Sequence, residues 1–184
     1  MEAMMHVIPT KNSIQFEREQ FRRNSEFPEL WNCLDQVKDP EIPALSLWDI
    51  GILKDIKRQG DQASVTITPT YSGCPAMDAI AEDITIAFKE HGIEKTVIIT
   101  ELSPAWTTDW MTDKGRNQLR DYGIAPPNDL VGDHEQPLNS DSQVLCPQCG
   151  SADTKLLSEY GSTACKALFQ CNSCHESFDL FKHI

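Results

Sequence analysis

Residues 63–88 read ASVTITPTYSGCPAMDAIAEDITIAF. The first six residues alternate apolar and polar, the period of a half-buried strand. From Met77 the period changes: Met77, Ile80, Ala81, Ile84 and Phe88 recur at helical spacing, with Asp78, Glu82 and Lys89 largely off that stripe. Pro75 suits a first helical position and Gly92 a helix stop. The stretch predicts strand, turn and helix, with Cys74 at the helix N-cap. There the thiol would face unpaired N–H groups and the positive end of the helix dipole, which favours a thiolate. Gly73 lets another molecule approach the backbone closely. The plainer reading of Cys74 is a small buried residue at a strand–helix corner, and Asp78 in the first turn opposes a second negative charge there.

Outward from this stretch the pattern stays regular. Leu30, Trp31, Leu34 and Val37 give a helix one apolar face, and Asp39-Pro40 ends it, because a residue before proline avoids the helical region. Residues 50–57 and 63–68 read as a hairpin about Gly60-Asp61, and 95–102 (KTVIITEL) as a β-branched strand. The expected fold class is α/β in the α+β sense: a small mixed sheet with helices packed on it. Thr112 can cap a helix that runs through Leu119 and Tyr122 and stops at Gly123. Trp106 and Trp110 either cap the core or, with Thr70 and Gly73, form a pocket wall or docking patch near Cys74.

A second unit is carried by Cys146-Pro-Gln-Cys149 and Cys171-Asn-Ser-Cys174, two C-x2-C pairs with 21 residues between them. Two such loops bring four thiolates onto one tetrahedral ion with no position left for water, which is a structural site. Zinc is the first choice, and iron in the same four-cysteine set stays open. About forty residues cannot build a sufficient core unaided, so the metal would supply much of this unit's folding energy. Cys165 lies six residues from Cys171, too far along an extended chain to share that metal. It is either a packed thiol or a second reactive one. The chain thus divides into an N-terminal arm (1–24, expected to be partly frayed), a main domain (25–127), an acidic, turn-rich linker (128–143) and a four-cysteine ribbon (144–184).

The 184 residues are 40% apolar and 24% charged, ordinary values that permit a sizeable core. The formal charge of −12 and the lack of clustered Lys and Arg weigh against nucleic acid, which needs a basic footprint. Only Lys155, Lys166 and Lys182 are basic in the ribbon. Nothing in the chain reaches membrane-spanning length, so a cytoplasmic location is expected. Seven cysteines in such a setting read as metal or thiol chemistry and not as a disulfide framework.

Thr68 to Ala76 (TPTYSGCPA), with Asp39-Pro40-Glu41-Ile42-Pro43 and Asp49-Ile50-Gly51-Ile52 upstream, resembles the domain shared by SufT-type iron–sulfur maturation factors. Pro104 to Thr112 (PAWTTDWMT), Gly161 to Leu168 (GSTACKAL) and the cysteine ribbon narrow the resemblance to the PaaD family, accessory subunits of bacterial phenylacetyl-CoA epoxidase systems. It runs from about Phe27 to the last residue. It implies a non-catalytic factor that assembles or delivers an iron–sulfur cluster, with Cys74 as the cluster-handling thiolate and Asp39 beside it. The implied partners are the epoxidase reductase, other epoxidase subunits and the iron–sulfur assembly machinery. One thiolate cannot hold a cluster whose irons take four cysteines, so a second Cys74 in a homodimer, a client cysteine or a small thiol must complete the shell. Two other readings stay open: a structural or docking subunit with Cys74 inert, and a thiol-dependent enzyme.

Overall fold

The computed structural model describes residues 13–127, 130–131, 138–139 and 142–184. Strands β1 (Leu53–Gln59) and β2 (Gln62–Ile67) pair antiparallel across Gly60-Asp61, with Gly60 at φ +59° to close the two-residue turn. Strand β3 (Lys95–Thr100) pairs parallel to β2, so the sheet is mixed with order β1-β2-β3. A parallel pair needs a crossover connection, and the helix α3 (Met77–Glu90) supplies it. The alternation in β2 puts Ala63, Val65 and Ile67 in the core, and α3 buries Ile80, Ile84 and Phe88. The helix α2 (Pro28–Leu34) starts with Pro28 in its first turn and buries Leu30, Trp31 and Leu34. The mixed sheet with helices on it matches the fold expected from the sequence.

The helix α1 (Ser13–Arg23) stands where the sequence predicts a partly frayed arm. Arg18 donates to the backbone carbonyls of Trp110 at 2.7 Å and Leu53 at 3.1 Å, and its guanidinium lies 4.5 Å from the Trp48 ring centroid. Arg22 forks onto Asp35 at 2.9 and 2.6 Å. Phe16 and Phe21 are half exposed, and Ile14 packs partly buried against the core. The helix docks by arginines laid over indole rings, a mode that an apolar-stripe pattern does not register.

A 3-10 turn (Thr108–Trp110) leads to α4 (Asp113–Tyr122). Thr112 caps α4 by accepting from Gly115 N at 2.9 Å, and Gly123 stops it in the left-handed region, φ +93°. This segment is tied to the 46–52 turn through Asp49, whose buried carboxylate accepts from Ser46, Thr112 and Lys114, each at 2.8 Å. Gly115 permits the approach: a Cβ there would stand 2.6 Å from the Asp49 carbonyl oxygen.

In the ribbon, β6 (Thr154–Ser158), β7 (Lys166–Cys171) and β8 (Ser177–Phe181) form an antiparallel sheet around Phe169, Phe178 and Leu180. Most of the predicted linker lies outside the described residues. Within it β4 (Leu130–Val131) pairs antiparallel with β5 (Gln143–Val144). The two units are joined by more than a linker. Ala125 N donates to the Asp179 carbonyl at 2.8 Å and Phe181 N to the Ala125 carbonyl at 2.9 Å, and Phe181 and Cys165 pack into the first unit's core. Among the described residues, no helix is long and apolar enough to cross a membrane.

Candidate thiol site and metal centre

Chain leaving β2 makes a tight turn at Tyr71–Cys74, where Cys74 N donates to the Tyr71 carbonyl at 3.2 Å. Thr70 is buried, while Gly73 is exposed, with the Tyr71 ring 3.7 Å from where a Cβ would stand. The helix itself begins two residues later than expected. Ala76 is its N-cap and accepts from Ile80 N at 2.9 Å, so Cys74 is not the N-cap and Pro75 is not the first helical residue. Cys74 is half-buried, with the Ala76 N–H near enough to its sulfur to favour the thiolate.

The expected low-pKa thiolate is corrected as well. Burial pushes the Cys74 thiol up, and the negative charges of Glu41, Asp39 and Cys165 push the same way against the Ala76 N–H. The helix dipole is only one of the fields at this sulfur. The carboxylates come from a loop distant in sequence.

That loop is shaped by Asp39. Its Oδ1 accepts from Glu41 N at 2.9 Å and Ile42 N at 2.8 Å, fixing the Asp-Pro-Glu-Ile-Pro turn with Asp39 only 5% exposed. Burial raises the Asp39 pKa, opposed by those two N–H groups and by Lys166. Asp39 therefore forms the turn and also reaches Cys74 electrostatically.

Cys165 arrives from the ribbon. The Ala164 N–H comes near enough to the Tyr71 hydroxyl to oppose the rise that burial and the charges of Cys74, Cys165 and Glu41 give its pKa. Cys165 is buried in the first unit's cluster, against which Cys74 also packs, with Thr163 Oγ1 at 3.1 Å from its sulfur. Burial raises its pKa, with Thr163 and Lys166 acting against and Glu41 with the increase. Tyr71, Glu41 and Lys166 were missed as site residues. The motifs Asp39–Pro43 and Gly161–Leu168 contain two of them, but nothing local says that these motifs meet.

Trp106 and Trp110 are not a docking patch. They are 3% and 8% exposed; Trp106 donates to the Ile50 carbonyl at 3.2 Å, and Lys54 stacks on Trp110 at 4.0 Å from the ring centroid. Their polar neighbours gave the segment its surface character, but the indoles point inward.

Cys146, Cys149, Cys171 and Cys174 form the metal centre, their sulfurs all within 4.8 Å of one another. Cys146 and Cys174 sulfurs are 3.7 Å apart, those of Cys149 and Cys171 3.6 Å. Four sulfurs at about 2.3 Å from one zinc stand about 3.8 Å apart, so the set fits a tetrahedral ion. Each knuckle closes in the same way. Gly150 N donates to the Cys146 carbonyl at 2.8 Å and His175 N to the Cys171 carbonyl at 3.0 Å, both residues at positive φ. His175 thus serves the turn, and Cys165 stands outside the four-sulfur set.

Residues 132–182 match the family described as PaaD zinc beta ribbon domain, and residues 29–96 match the family described as iron–sulfur cluster assembly protein. A protein of Escherichia coli (strain K12) described as a putative 1,2-phenylacetyl-CoA epoxidase subunit is 45% identical over 156 residues, 85% of this chain and 92% of that protein. An "Fe-S protein maturation auxiliary factor" of Porphyromonas gingivalis (strain ATCC BAA-308 / W83) is 30% identical over 102 residues, 52% of this chain and 96% of that protein. A solved DUF59 domain from Bacillus anthracis aligns at TM-score 0.46 and 21% identity, covering 56% of this chain and 95% of that one. With a four-sulfur centre where the ribbon match falls and Cys74 where the assembly match falls, the chain belongs to the PaaD family, alongside the Escherichia coli epoxidase subunit.

Proposed function

We propose that this chain is a non-catalytic accessory factor that assembles or delivers an iron–sulfur cluster to the phenylacetyl-CoA epoxidase system, in aerobic phenylacetate breakdown, with the reductase component as client. The observation that carries the reading is the Cys74 turn: a half-exposed thiol beside exposed Gly73, in the segment that matches the assembly family. The ribbon's four thiols are grouped to hold an ion of their own and Cys33 and Cys165 are buried, which leaves Cys74 as the accessible sulfur for cargo. A thiol whose pKa is pushed up by burial, with Glu41 and Asp39 adding to the rise, stays quiet until iron displaces the proton, which suits transient handover. The working location is the cytoplasm, where such clusters meet reduced thiols.

The raised Cys74 pKa also favours a second reading, a docking subunit of the epoxidase in which this thiol is inert. Anaerobic reconstitution of the full chain with ferrous iron and sulfide separates the two. Cluster bound by the wild type and lost in Cys74→Ser, with reductase loading lost in cells, is the expected result. Equal loading by wild type and Cys74→Ser, with stoichiometric co-purification with the epoxidase, establishes the docking subunit instead.

A further inference from the structure

Strand β3 is the last strand of its sheet, and among the described residues its outer edge pairs with no other strand. One bond fixes the direction of its backbone groups. Glu101 N donates to the Ile67 carbonyl at 2.9 Å, so by alternation residues 95, 97, 99 and 101 turn toward β2. Thr96, Ile98 and Thr100 then offer their N–H and C=O groups outward. Sheet edges are commonly blunted by a bulge, a proline or an inward-pointing charge. Strand β3 has none of these. It pairs with β2 without a register shift from Lys95 to Thr100, and after Lys95 it reads Thr-Val-Ile-Ile-Thr. Apolar side chains flank the edge on both faces. Ile98 and Ile86, the latter 49% exposed, line a groove of about 470 Å³ between the strand and α3. Val97 and Ile99, each 41% exposed, lie on the other face.

We propose that this edge is the interface between two copies of this chain, paired antiparallel about a two-fold axis at Ile98, so that their sheets become one. The strand is self-complementary in that register. Ile98 stands opposite itself, Thr96 opposite Thr100, Val97 opposite Ile99, and Lys95 opposite Glu101 of the second copy. The outward-facing residues 96, 98 and 100 then meet as hydrogen-bonded pairs. Val97 with Ile99 and Lys95 with Glu101 are the intervening pairs, whose side chains come closer, and symmetry makes each of them twice. Slipping the register two residues either way sets Lys95 against Ile99 or Glu101 against Val97. The axis also runs beside α3, where Glu82 and Lys89 line the groove two turns apart on one helix face. The antiparallel arrangement brings each Glu82 toward Lys89 of the other copy. This charge complementarity of the strand with itself selects a second copy over an unrelated strand. The interface is independent of what Cys74 carries.

The test uses the zinc-loaded full chain in analytical ultracentrifugation, with backbone amide exchange read by NMR at low and high protein concentration. The wild type is expected to dimerise, and the Thr96, Ile98 and Thr100 amides to gain protection as it does; this readout needs no variant. Lys95 and Glu101 are both exposed, so Lys95→Glu and Glu101→Lys leave the fold in place. Each is expected to weaken the dimer roughly tenfold, because like charges then stand opposite one another twice. Mixing the two single variants is expected to give a heterodimer of wild-type strength, and combining both changes in one chain to restore the homodimer. A wild type still monomeric at millimolar concentration overturns the proposal. So does a dimer that neither change weakens, or one that leaves the three outward amides unprotected, because its interface lies elsewhere. Protection of those amides only on addition of an epoxidase subunit also overturns it, and assigns the edge to a strand of a different protein.

Discussion

Phe181, on the last strand of the ribbon, lies 5.8 Å from Trp106 of the main domain, centroid to centroid, at an interplanar angle of 53°. Phe181 is fully buried there, in the main domain's cluster and not in the ribbon's own. The end of the ribbon sheet remote from the four cysteines is therefore anchored in the main core, by this aromatic contact together with the backbone bonds at Ala125.

Loss of the metal should be felt on both sides of that contact. Cys149→Ser is expected to abolish stoichiometric zinc and to unfold β6 to β8, since the ion supplies much of a small ribbon's stability. Amide exchange should rise across 154–181, and the emission of Trp106 should shift as Phe181 leaves. Protection in β1, β2 and α3 should persist. A ribbon that keeps native protection without zinc would contradict this account.

Thiol reactivity gives a second check. With its pKa raised, Cys74 should alkylate more slowly near neutral pH than a free thiol of pKa about 8.5. Glu41→Gln removes a negative neighbour, which favours the thiolate. Alkylation at pH 8 should become roughly two- to fivefold faster. A slower or unchanged rate would show that burial alone governs the thiol.

Cys33 offers a pH test away from the site. It is buried, with its sulfur 3.2 Å from His91 Nδ1 and 3.4 Å from the Ala87 carbonyl. Burial raises its pKa, and Glu90 adds to the rise. Unfolded thiols release their protons near pH 8.5 or so while folded Cys33 keeps its own, so the native state binds more protons. Stability is therefore full below that value and falls as pH climbs through the folded pKa. Cys33→Ala should cost about 1–2 kcal/mol but flatten the decline above about pH 8 in denaturant midpoints. An unchanged slope would assign the decline to other groups.

Arg18 tests the docking of α1. Burial lowers its pKa to about 10, which leaves it charged at neutral pH and bonded to the Trp110 and Leu53 carbonyls. Arg18→Ala should cost about 2–3 kcal/mol from charge-assisted bonds and ring contact. It should also speed proteolysis within 13–23. Arg18→Lys should rescue little, because an ammonium cannot fork to both carbonyls while lying flat on Trp48.

What could be read along the sequence was what local physics decides. The Gly60-Asp61 hairpin, the stripe of Ile80, Ile84 and Phe88, the Thr112 cap with its Gly123 stop, and the paired knuckles at Cys146 and Cys171 all depend on neighbours a few positions away. The misplaced features are long-range. Arg18 reaches Trp48 and Trp110, Trp106 reaches Phe181, and Tyr71 reaches Ala164, pairings that no period encodes. The Cys74 thiolate failed for both reasons. The helix started at Met77, and the deciding charges sit at Asp39 and Glu41.

Ala125 has a mechanical consequence. Its N–H and its carbonyl are both bonded into β8, so the chain leaving α4 is clamped along the ribbon's outer strand before the acidic stretch begins. A hinge there would have to break two backbone hydrogen bonds and pull Phe181 out of an aromatic socket. The ribbon cannot swing freely like a tethered flag; it behaves as a stiff lever bolted to the main domain.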